Sequence, residues 1–134
     1  MNSKTKHLLA HYIHLQDSGR AEPITVTDSF WPDLADGKLP ALEQGRLVLA
    51  FSFAEPWANW ECHPAGEEVV VLLSGAVDMV LQEPTGETCI ALRSVGDFVL
   101  VPQGVWHTAR TEVQSTLLFI TPGQGTVHKA VMAE

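Results

Sequence analysis

Two stretches decide how this chain folds: Gly96-Asp97-Phe98-Val99-Leu100-Val101-Pro102-Gln103-Gly104-Val105-Trp106-His107, and Glu61-Cys62-His63 continuing to Glu68 and Gly75. In the later stretch, Phe98 to Val101 read as a short strand, Pro102 and Gly104 mark a turn, and a new strand beginning near Val105 carries His107. In the earlier one, Glu61 and His63 stand two apart in strand-like sequence, so the period-2 alternation of side chains aims both at one face and Cys62 at the other. Glu67 alternates away from Glu68 and reads as a solvated carboxylate. Two carboxylates and two imidazoles placed on β sequence point to a metal.

These residues resemble the two motifs of the cupin superfamily. His63 is followed by four residues and Glu68, and Glu68 by six residues and Gly75, while Gly96, Pro102, Gly104 and His107 keep every spacing of the second motif. Glu61 stands where the family's first histidine would be, and Thr111 where its asparagine would be. Glu55-Pro56-Trp57 replaces the first motif's leading glycine. The resemblance implies an all-β fold, a cupin jelly-roll barrel (double-stranded β-helix) with a short N-terminal arm or helix. The twenty residues between Gly75 and Gly96 imply a compact single-cupin protein.

For the metal, His63, Glu68 and His107 form a two-histidine, one-carboxylate set that leaves coordination positions open for water, substrate or dioxygen. Glu61 is either a fourth ligand or a catalytic carboxylate beside the metal, positioned for proton transfer. One divalent ion per chain is expected, and Fe, Mn, Ni and Zn all suit these donors. The competing arrangement is a bare barrel in which Glu61 and Glu68 form ion pairs with His63 and His107.

Composition sets the outer limits. The 134 residues suffice for one core and not for two ordinary domains. A formal charge of −8 with eight basic residues argues against a nucleic-acid backbone or an anionic membrane as partner. A small-molecule substrate or ligand is the expected partner. No run approaches the roughly 18 apolar residues of a membrane span, and the first residues do not lead into an apolar signal core, so the expected location is cytoplasmic. Cys62 and Cys89 lack CxxC spacing and are expected to be reduced.

Residues 1–44 read as an N-terminal arm packing on the barrel, and 45–134 as the barrel, together one structural domain. Leu8, Leu9, Tyr12 and Leu15 lie near helical spacing, which predicts a short helix over Lys6 to Gln16. His7, His11 and His14 would share one face of it as surface histidines. A turn at Asp17-Ser18-Gly19-Arg20 precedes a short strand over Ile24 to Thr27, and Ser29 to Pro40 reads as an irregular arm or a single helical turn. Eight short apolar runs follow: Arg46 to Ala54, Asn59 to His63, Glu68 to Leu73, Ala76 to Gln82, Glu87 to Leu92, Asp97 to Val101, Val105 to Thr111 and Ser115 to Thr121. Eight such runs, separated by turn residues, suit a jelly roll. Val69 to Leu73 is apolar on both faces, which predicts a homodimer or a covering arm.

Strand parity proposes the surroundings of the centre. Trp57 and Asn59 share the parity of Glu61 and His63, and Thr111 that of His107. From the preceding strand, either Phe51 and Phe53 or Ala50 and Ser52 face inward. Phe51, Met79 and Phe119 complete the expected pocket, while Trp60 and Trp106 have the opposite parity and pack outside. Two functions fit: a mononuclear-metal enzyme acting on a small oxygen-bearing molecule, dioxygenase-like in the favoured case, or a non-catalytic ligand- or metal-binding module with a sensing or regulatory role.

Overall fold

The computed structural model describes residues 4–123 and 125–132. Among these described residues, eleven strands form two antiparallel sheets. In chain order they are β1 (His11–Leu15), β2 (Ala21–Thr25), β3 (Arg46–Phe53), β4 (Asn59–Cys62), β5 (Glu68–Ser74), β6 (Val77–Glu83), β7 (Gly86–Leu92), β8 (Phe98–Val101), β9 (His107–Arg110), β10 (Ser115–Pro122) and β11 (Val127–Ala130). A helix α1 (Phe30–Ala35) and a 3₁₀ turn (Pro40–Glu43) lie between β2 and β3. One sheet runs β2-β1-β3-β10-β5-β8 and the other β11-β4-β9-β6-β7. All eight apolar runs are strands.

Alternation explains the burial. Leu47 and Leu49 of β3, Val70 and Leu72 of β5 and Leu117 and Phe119 of β10 point inward from the first sheet. They meet Val77, Met79 and Leu81 of β6 and Leu92 of β7 from the second, forming one core. Burying side chains of this size stabilises by roughly 1.5–3 kcal/mol each. Gly75, in the β5–β6 turn, has φ +83° and leaves no room for a side chain: a Cβ there would stand 2.2 Å from Ser115 Oγ. Glycine alone combines that conformation with that space.

The chain before β3 corrects one expectation. Residues 11–15 form a strand, not part of a helix, because β1 pairs on both sides, with β2 and with β3. Period-2 burial follows: Tyr12 and His14 are buried, and Tyr12 packs edge-on against Phe30 with ring centroids 5.2 Å apart. His11 and His14 therefore fall on opposite faces, and His14 hydrogen-bonds the Gln44 carbonyl at 2.7 Å. Near-helical spacing of a few apolar residues was outweighed by the two ladders available to an extended segment. β2 likewise begins at Ala21, earlier than the expected Ile24.

Candidate metal centre

Both sheets contribute to the centre. Glu61 in β4 lies directly opposite His107 in β9, and on its other side opposite His128 in β11. His63 follows β4, and Glu68 opens β5 in the facing sheet. The turn of the second motif is tied to the first: the Gly104 N–H donates to the His63 carbonyl at 3.1 Å and the Gln103 amide to the Pro64 carbonyl at 2.6 Å. Gly104 holds φ +76° in that turn. The glycine of one motif thereby fixes the histidine of the other.

One ligating atom from each of Glu61, His63, Glu68 and His107 lies within 4.8 Å of the other three. His63 Nε2 is 3.1 Å from Glu68 Oε2 and 3.5 Å from Glu61 Oε1. His107 Nε2 is 3.1 Å from Glu68 Oε1 and 3.7 Å from Glu61 Oε1. Yet both Nε2 atoms and Glu68 Oε1 are buried without an aligned hydrogen bond. An unsatisfied buried polar group costs about 1–3 kcal/mol, so three converging on one point form a site that a divalent cation fits.

The outer atoms of these side chains are anchored. Thr126 Oγ1 donates to the Gly123 carbonyl and so accepts from His63 Nδ1 at 2.9 Å. His107 Nδ1 donates to the Val105 carbonyl at 3.1 Å. Both bonds place the proton on Nδ1 and leave the Nε2 lone pair for a metal in the neutral ring. Thr121 donates to Glu68 Oε2 at 2.6 Å. His128 Nε2 lies 3.1 Å from Glu61 Oε2.

In the metal-free chain the charges hold one another. Burial alone would lower both imidazoles, but Glu61 and Glu68 outweigh it and raise His63 to about 9 and His107 to about 10. Burial likewise pushes the carboxyls up, and the surrounding imidazoles outweigh it, holding Glu61 and Glu68 below the usual carboxylate range. Glu61 raises His128 in turn.

A cavity of about 1130 Å³ opens from this centre. Among the expected pocket residues, Phe51, Trp57, Asn59 and Phe119 line it, as does Phe53, so β3 turns its aromatic face inward. Met79 and Thr111 lie elsewhere. Met79 is fully buried in the core, and the Thr111 hydroxyl donates to the Ala76 carbonyl at 2.6 Å, bracing the β5–β6 connection. Trp60 is buried on the face of β4 opposite Glu61. Trp31, Leu34 and Ala35 of α1 also line the cavity. Thr121, Thr126 and His128 escaped the sequence reading. All four residues of Val127–Ala130 are exposed and the segment lacks apolar alternation, so only its pairing with the edge of β4 reveals it as a strand.

No family model and no curated protein matches this chain. Solved structures match by fold. An oxalate oxidase superposes with a TM-score of 0.53 at 14% identity, over 61% of this chain and 45% of its own. A cupin-2 domain protein from Shewanella frigidimarina gives 0.49 at 18% identity, over 57% of this chain and 70% of that one. A cupin superfamily protein from Desulfitobacterium hafniense gives 0.48 at 22% identity, over 57% and 65%. This chain therefore spans less than half the length of the oxalate oxidase. Two antiparallel sheets, the two spaced motifs and that superposition give one conclusion: the chain has the cupin fold.

Proposed function

We propose that this protein is a mononuclear-metal enzyme acting on a small oxygen-bearing molecule, with dioxygenase-type chemistry favoured. The observation that carries the reading is the convergence of His63, Glu68, His107 and Glu61, three of whose buried donor atoms make no aligned hydrogen bond, beside an open cavity. A bound Fe, Mn, Ni or Zn ion would polarise the substrate's oxygen and, if redox-active, bring it together with dioxygen. His63, Glu68 and His107 would hold the ion. Glu61 is the least buried of the four and lines the cavity; with His63 and His107 coordinating as neutral rings it is relieved of the imidazolium charges that depress it in the metal-free chain, and its position beside the substrate is that of a proton acceptor.

A second reading rests on the 3.1 Å pairings of Glu68 with both imidazoles, which neutralise charge without any metal. The barrel would then be a binding module with a sensing or regulatory role. Elemental analysis of anaerobically purified protein separates the two. Near one metal per chain, lost when His63 and His107 are both replaced by Ala, supports the enzyme and calls for oxygen-uptake assays; no metal after reconstitution overturns it.

The same proposal places the protein in the cytoplasm as a homodimer. Both cysteines are free, and Cys89 is exposed, as suits a reducing compartment. Among the described residues no helix is long and apolar enough to cross a membrane. Leu73, Phe98 and Leu100 are exposed on the outer face of β5 and β8, where Val69 pairs with Leu100 and Val71 with Phe98. A second copy would cover this apolar face. Sedimentation of the protein and of Leu100→Glu tests it: a dimer that the substitution dissociates supports the interface, and a monomer overturns it.

A further inference from the structure

The wall of the cavity carries information about what enters it. Phe51, Phe53, Trp57 and Phe119 form a continuous aromatic row, with successive ring centroids 5.8, 5.8 and 5.7 Å apart. Phe51 and Trp31 line the cavity and remain 43% and 46% exposed, so part of each side chain is open to a ligand. No Lys or Arg is among the residues lining the cavity. Of its titratable lining groups, Glu43, Glu55, Glu61 and Glu68 are acidic, His63 belongs to the metal set, and His128 is already engaged with Glu61.

Charge and size then select the ligand. Two carboxylates offset a divalent ion, leaving the centre near neutral when its imidazoles coordinate as neutral rings. A small dianion would add two negative charges beside Glu61 and Glu68 with no ammonium or guanidinium to receive them. An acid of oxalate's size would also leave the aromatic row in water, in a cavity of about 1130 Å³, which is at the upper end of drug-sized pockets. Offset stacking on a row of rings favours a planar apolar body.

Building on the metal-enzyme reading, we propose that the substrate is a flat, largely apolar molecule, neutral or singly negative, that presents oxygen at one edge to the centre and lays its body along Phe51, Phe53, Trp57 and Phe119. This separates the chain from the oxalate oxidase that shares its fold, for which the named substrate is a small dianion.

The test is calorimetric titration of the full chain, with its zinc content measured on the same sample, using 2,3-dihydroxynaphthalene, catechol and oxalate as probes. The naphthalene diol should bind about tenfold or more tighter than catechol, because its second ring buries additional apolar surface. Oxalate should bind more weakly than either. Phe51→Ser and Phe53→Ser should remove most of the advantage of the naphthalene diol over catechol while leaving zinc content unchanged. Oxalate binding as tightly as the naphthalene diol in the unsubstituted protein would overturn the inference and leave the metal reading intact. A chain that holds no zinc, and no Fe, Mn or Ni after loading with each, would instead defeat the metal reading. The naphthalene diol and oxalate titrated into that metal-free chain then decide the inference alone, since binding of the diol supports it and absence of binding overturns it.

Discussion

Loading manganese into the metal-free chain at pH 7 should expel close to two protons. His63 at about 9 and His107 at about 10 are both imidazolium at that pH, and each must lose its Nε2 proton before the nitrogen can coordinate. Glu61 and Glu68 are already ionised and release none. Two imidazoles at the ordinary value of 6.5 would together release only about half a proton. Apparent affinity should therefore rise about a hundredfold per pH unit between pH 7 and about 9, about tenfold per unit from there to about 10, and then level off. At pH 7 the two rings lie two and three units below those values, a deprotonation cost on the order of 7 kcal/mol at about 1.36 kcal/mol per unit. Manganese is preferred because water bound to zinc can itself ionise near pH 7 and add protons to the count. Calorimetry in buffers of different ionisation enthalpy gives the number directly. A release near half a proton, with flat affinity between pH 7 and 9, would refute the charged Glu–His cluster.

Three further outcomes follow from the same geometry. The raised imidazoles stabilise the metal-free fold fully below their unfolded value near 6.5 and lose that contribution as pH rises through 9 to 10, whereas the lowered carboxyls contribute above about 4.5 and lose it in acid. The melting temperature of metal-free protein should thus peak between about pH 4.5 and 6.5, and a continuous rise to pH 9 would contradict this. Thr121→Val and Thr126→Val, which remove the partners of Glu68 and His63, should each weaken metal affinity about 10–100-fold in equilibrium dialysis; unchanged affinity would show that these hydroxyls do not orient the ligands. Gly75→Ala should lower the melting temperature more than Gly86→Ala, because both glycines have positive φ but only at Gly75 would the new Cβ strike Ser115; equal losses would mean that backbone strain alone matters.

The two thirds of the chain after Gly45 were legible because their strands are short, apolar on the inner face and separated by turns, a pattern that leaves little choice of period. The centre was legible for the same reason: period-2 alternation puts Glu61 and His63 on one face, and the second motif's spacing carries His107 to meet them. What failed depends on neighbours distant in sequence. Tyr12 and His14 belong to a strand because β1 pairs with the adjoining β2 and, on its other side, with the more distant β3. His128 reaches Glu61 only because β11 adds to the edge of β4, and nothing in Val127-His128-Lys129-Ala130 announces it. Met79 has inward parity but is buried in the core, and Thr111 lies just past the end of β9, where its hydroxyl is taken by the Ala76 carbonyl.

Glu68 hangs from one sheet, while Glu61, His63 and His107 hang from the other. An ion seated among them rivets the two layers together at a single point. Sliding one layer past the other, or prising them apart, would then require breaking coordination bonds as well as parting an apolar core. Amide exchange at the ends of β4, β5 and β9 should slow in concert when the ion is present, because those segments could open only by releasing it. Loading the centre would thus brace a sandwich that already closes on its apolar core.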